Sequence, residues 1–178
     1  MNMNEYDFTL KFSLPSEMMV DDAILDKLFE AGCDDAMIGV GMPGCLSLDF
    51  TRKAKSASAA VFSAIKNVKA AVPGINLIEA APDLVGLTDM AEILGCTRQN
   101  MRKIMLKENM HSLIPVHSGN PSLWHLSSVL KSFIKIEKYN NFSTLQELAA
   151  TNMTINHVKN LKEISPEVEI EAKKIMTG

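Results

Sequence analysis

The chain has 178 residues, 47% of them apolar and 22% charged, a balance that suits a folded protein and excludes a disordered one. That length holds one ordinary domain or two small ones, and no apolar run approaches the roughly 20 residues needed to cross a membrane. The net charge of −3 argues against a nucleic-acid partner until it is divided: residues 1–82 carry seven Lys/Arg against eleven Asp/Glu, a net −4, whereas residues 96–135 carry six basic residues against Glu108 alone, a net +5.

Tyr6, Phe8, Leu10, Phe12 and Leu14 alternate with Asp7, Thr9, Lys11 and Ser13, which predicts a half-buried strand ended by Pro15. Asp21 to Ala31 predicts a helix with Ile24, Leu25 and Leu28 turned inward and Gly32 as its stop. Met37 to Val40 and Leu46 to Phe50 read as two short strands joined by a turn at Gly41-Met42-Pro43-Gly44. A long helix follows over Ala54 to Val72, closed by Pro73-Gly74, and Ile75 to Ala80 reads as a last strand. The order βαββαβ over residues 1–82 is that of a ferredoxin-like α+β sandwich, a fold that serves many functions and assigns none. The adjacent Asp34 and Asp35 have no nucleophile or phosphate loop beside them and read as a polar turn. Ala81-Pro82-Asp83 is a short boundary, which predicts that the next domain packs against this one.

From Leu87 to Leu106 two short amphipathic helices fit with a tight turn between them. Thr88 is placed to N-cap the first, Gly95 to end it in a left-handed conformation, and Thr97 to N-cap the second. Ala91 falls where a second helix would cross closely, and Met90, Leu94, Cys96, Met101 and Ile104 fall where they would seal the crossing. These spacings resemble the helix-turn-helix of DNA-binding proteins. The face left outside carries Arg98, Gln99, Arg102 and Lys103. Arginine can pair bidentately with guanine, glutamine with adenine, and lysine can reach a phosphate.

Ile114 to His117 and Ser122 to His125 then flank Gly119-Asn120, a hairpin signal, and Leu126, Val129, Leu130, Phe133 and Ile134 recur at helical spacing. Residues 83–136 therefore resemble the winged helix-turn-helix modules of MerR-type and excisionase/AlpA-type bacterial proteins, in which a wing strand with an aromatic or arginine leads straight into an apolar helix. Trp124 stands at the aromatic position, and its apolar neighbours place it in the core. The wing departs from the pattern in lacking arginine; His117, Ser118, Asn120 and Ser122 offer hydrogen bonds in its place. The resemblance implies contacts to duplex DNA from Thr88, Thr97, Arg98, Gln99, Arg102 and Lys103, with His117, Ser118 and Asn120 on the wing.

Asn140-Asn141 breaks the chain. Ser143 or Thr144 starts a helix carrying Leu145, Leu148, Ala149, Val158 and Leu161, and Ser165-Pro166-Glu167 starts another with Ile170, Ile175 and Met176 as its apolar edge. Residues 139–178 are thus C-terminal helices suited to dimerisation or to packing on their own subunit. Cys33, Cys45 and Cys96 form neither a CxxC nor an even set, and with no signal peptide in view they fit a reducing cytoplasm. His111, His117, His125 and His157 share no helix face, so no metal or cofactor is expected, and no catalytic constellation is present. The expectation is a cytoplasmic, non-enzymatic regulator of transcription: a ferredoxin-like domain over 1–82, a winged helix-turn-helix over 83–138, and helices over 139–178. It would bind double-stranded DNA as a homodimer. The alternative is a protein-interaction module or antitoxin-like partner working through the N-terminal domain.

Overall fold

The structure, a computed structural model, describes residues 3–16, 18–107, 113–133 and 142–176. Glu108, His111, Ile134, Lys135, Asn140 and Asn141 of the sequence reading, and the last positions of the proposed 83–136 stretch, lie outside them. Among the described residues the chain is mixed α+β, with seven α-helices, a four-stranded antiparallel sheet and a separate two-stranded pair.

β1 (Asn4–Ser13) keeps the expected alternation: Tyr6, Phe8, Leu10 and Phe12 are buried while Glu5, Asp7 and Lys11 face solvent. β2 (Ala36–Gly39), β3 (Cys45–Ala54) and β4 (Asn76–Ala81) join it in the order β2-β3-β1-β4, every neighbour antiparallel. β3 extends past Phe50, where the sequence had ended it, because β1 offers a partner for all ten of its residues, from Cys45 opposite Ser13 to Ala54 opposite Asn4. Ala54 therefore belongs to the strand rather than to the helix expected there, and α2 (Ala57–Ala71) starts behind Ser56, whose hydroxyl accepts from the Ala59 amide. Phe8 and Phe50 sit directly opposite each other with stacked rings.

Arg52 is the inward residue of β3 that breaks the apolar pattern. Its guanidinium grips both Asp35 oxygens at 2.6 and 2.7 Å, donates to the Gly32 carbonyl and Ser63, and leans on the Phe50 ring. Asp35 is therefore a structural anion that satisfies a buried cation.

α1 (Asp22–Glu30) is capped by Asp21 and buries Leu28, with Ile24 packed beside it. Leu25, expected inward, is exposed, because it lies off the Ile24–Leu28 line and the short helix buries only that line. Both helices contribute to the cluster that holds the inward residues of the sheet, so they cover the same face.

The C-terminal helix α6 (Ser143–Lys159) packs within its own chain. Leu148 and Ile155 enter the sheet cluster, Ala149 enters a second cluster formed by residues 85–133, and Leu145 touches both. Glu147 accepts from the first amide of α2, at Ala57, and from the Tyr6 hydroxyl. Burial pushes the Tyr6 pKa up, which keeps that hydroxyl a donor. A 3-10 turn over Asn160–Glu163 follows, then α7 (Pro166–Met176), which has no buried residue. No described helix is long and apolar enough to cross a membrane.

Candidate nucleic-acid interface

The second cluster is built on α3 (Leu87–Ile93), α4 (Arg98–Met105) and α5 (Leu126–Phe133). α3 begins at Gly86, not at Thr88. The Gly86 amide donates to the Asp89 carboxylate at 2.7 Å, a reach-back from the third helical position that places the start two residues earlier than the threonine suggests. Thr88 is then an exposed residue of the first turn. At the other end the Cys96 amide donates to the Ala91 carbonyl and the Gly95 amide to the Glu92 carbonyl, a Schellman closure with Gly95 at φ +64°. Only Cys96 separates Gly95 from Thr97, whose hydroxyl caps α4 by accepting from the Asn100 amide.

This turn brings α3 and α4 together over Ala91, with Met90 and Met101 fully buried at the crossing. Leu126, Val129, Leu130 and Phe133 of α5 close the core from the third side, and Cys96 and Ile104 sit at its margin. The apolar side of α4 is thereby used up. Arg98, Gln99, Arg102 and Lys103 are all exposed, and among the described residues none of their side chains makes a hydrogen bond or ion pair. Four polar side chains without a partner among the described residues are thus presented on one helix.

From Leu113 to Leu123 the chain forms a loop that, among the described residues, is closed by one bridge, His117 to Leu123, rather than by two strands. The strand expected over Ser122–His125 is confined to β6 (Trp124–His125), and its partner is β5 (Leu84–Val85) ahead of α3, not Ile114–His117. Trp124 packs on the helical core and donates to the Leu113 carbonyl. The loop is tied to the helices at its base, and its tip stands beside them.

Between the start of α3, the flank of α4 and the loop tip lies an open groove of about 500 Å³. Thr88, Arg98, Arg102 and Asn120 line it, so four of the nine predicted contact residues share one recess. Thr97, Gln99 and Lys103 lie outside it but exposed, and on the loop Ser118 is exposed while the His117 ring lies against Gly119. Asp89 also lines the groove, with its carboxylate occupied by the Gly86 amide. Two guanidinium groups and an asparagine can donate hydrogen bonds to an anionic ligand there.

One polar cluster had no sequence signal. Asn156 of α6 donates to the Ala80 carbonyl and Asp83, and accepts from the Ala80 amide; Asp83 also meets His125 Nδ1 at 2.7 Å. Asn152, one turn earlier, donates to the Pro82 carbonyl. The i, i+4 spacing of the two asparagines was readable, but their partners lie some 70 residues away and were not. Among the described residues no group of His, Cys, Asp and Glu converges to hold a metal ion.

No protein-family model, curated protein or solved structure matches the chain.

Proposed function

We propose that the chain is a sequence-specific, double-stranded DNA-binding regulator of transcription, with a ferredoxin-like N-terminal domain and a winged helix-turn-helix. The order β2-β3-β1-β4 with both helices on one face supports the first part of that architecture. The glycine-closed turn between α3 and α4, with a loop returning beside α4, supports the second. The observation that carries the function is the outward face of α4, where Arg98, Gln99, Arg102 and Lys103 stand exposed and unpaired beside a groove that two of them line. One such helix covers too little of a duplex for tight specific binding, so a homodimer reading two half-sites is part of the proposal. We assign no catalytic step, metal or cofactor, and the cytoplasm as the compartment.

The test is a titration of parent, Arg102→Ala and Lys103→Ala on a duplex selected from genomic fragments and on a scrambled one, at several salt concentrations. Arg102→Ala should weaken the selected duplex by about 1–3 kcal/mol and blunt discrimination at one base pair. Lys103→Ala should weaken both duplexes alike and lower the salt slope by about one unit. If both variants fold and bind like the parent, α4 is not in a groove of the duplex.

A specific observation favours a second reading. The sheet domain carries an open recess of about 910 Å³ edged by Asp7, Asp34 and Asp49, which disfavours DNA and suits a basic partner protein. Absence of salt-dependent duplex binding would turn attention there.

A further inference from the structure

Two of the apolar features that the described residues leave uncovered are complementary. The first is α7. Val168, Ala172 and Ile175 recur at i, i+4 and i+7 and form one stripe, and Val168 and Ile175 are 65% and 73% exposed. Ile170, expected on the same edge, falls on the opposite side of the helix. Isolated helices shorter than about 12–15 residues are marginal in water, so an eleven-residue helix with nothing buried calls for a surface to lie on.

The second is a groove of about 710 Å³ between α2, β4 and α6. Ile155 forms its floor, Ile65 and Leu77 its walls, and Phe62 and Val158 its half-exposed lips, at 50% and 55%. The chain passes the rim at Glu163 and leaves; no residue of α7 lines the groove. Lys69 and Lys159 also stand along it, with Glu163 at the rim, while Glu167, Glu169 and Glu171 occupy the first half of α7, the last two in exposed pairs with Lys173 and Lys174 that are worth little and can exchange partners. The chain thus carries both an apolar stripe flanked by acids and an apolar groove with two lysines along it.

We infer that the groove takes α7 of a second copy of this chain. The stripe of Val168, Ala172 and Ile175 seats between Phe62 and Val158, and the glutamates of α7 meet Lys69 and Lys159. The two-fold reciprocal of that contact fills both grooves, so assembly closes at a dimer. The inference stands without the DNA reading, although it supplies the two reading helices which that reading requires.

Sedimentation of the full chain and of Ile175→Asp and Phe62→Glu variants tests it. The parent should be a dimer at micromolar concentration, and each variant should raise the dissociation constant by roughly tenfold or more, since a charge would enter an apolar seat. Both side chains are exposed in the single chain, so its fold should persist by circular dichroism; were Phe62→Glu to misfold, Ile175→Asp decides alone. In a Cys45→Ser/Cys96→Ser background, a Phe62→Cys chain mixed with an Ile175→Cys chain should form a disulfide-linked pair on oxidation. A monomeric parent, variants that associate like the parent, or a Phe62→Cys/Ile175→Cys double variant that closes within one chain would each overturn it, the last by showing that α7 fills its own groove.

Discussion

Asn156 offers the most direct probe of how the two cores are joined. β4 is an edge strand, so the backbone groups of Ala80 that point away from β1 have no sheet partner. Asn156 supplies one with its side chain: its Oδ1 accepts from the Ala80 amide at 2.8 Å and its Nδ2 donates to the Ala80 carbonyl at 2.8 Å, with a further bond to Asp83 at 2.9 Å. Asn156→Ala removes all three. At about 1 kcal/mol net per hydrogen bond, and with Ala80 fully buried, the loss should be about 3 kcal/mol. For a chain of this size that corresponds to a fall of about 6–12 °C in Tm. Urea unfolding with circular dichroism gives the free energy, and amide exchange at Ala80 should quicken locally. An unchanged midpoint with unchanged exchange at Ala80 would refute the account, because the edge strand would then be satisfied without the asparagine.

Gly95→Val should cost about 1–2 kcal/mol through backbone strain, since φ is +64° and a Cβ there meets nothing within 4 Å; Gly95→Asn, which tolerates that conformation, should cost clearly less, and equal costs would deny the turn. Cys33 is buried, and desolvation raises its pKa to about 11 from 9.0. A raised thiol pKa contributes stability at neutral pH that is lost as pH climbs through 9 towards 11, and at pH 8 an alkylating reagent should modify Cys45 and Cys96 well before Cys33. Labelling of all three at one rate in the folded protein would contradict that burial.

What was legible in the sequence is what local chemistry decides. β1 shows its inward face in its own alternation, and Gly95 and Thr97 mark a stop and a start within three residues. The exposed face of α4 follows from the same periodicity that buries Met101. What was not legible depends on distant partners. β5 and β6 are two residues each and pair across some 40 positions, too short to leave a pattern. Arg52 lies beyond the strand expected to end at Phe50, and the groups that receive it inward, Asp35 and Gly32, lie some 20 residues away. α3 starts at Gly86 because Asp89 reaches back, and a threonine two residues on is the more familiar signal. The place of α6 was left open: its apolar residues serve two clusters on different sides, so no single stripe announces where the helix lies.

That double role divides the C-terminal segment into two parts with opposite consequences when removed. Ending the chain after Tyr139 deletes Leu148 and Ile155 from the sheet cluster, Ala149 from the helical cluster, and the Glu147 carboxylate from the start of α2. Such a chain loses buried side chains from both cores at about 2 kcal/mol or more apiece, and its failure to self-associate would say nothing about an interface. Ending after Ser165 deletes only α7, which buries nothing within its own chain. The shorter deletion should therefore leave the monomer's denaturant m-value intact while sedimentation shows it dissociated at concentrations where the parent is paired. A Ser165-terminated chain that still dimerises would place the contact elsewhere, and one that unfolds would show that α7 holds its own subunit together.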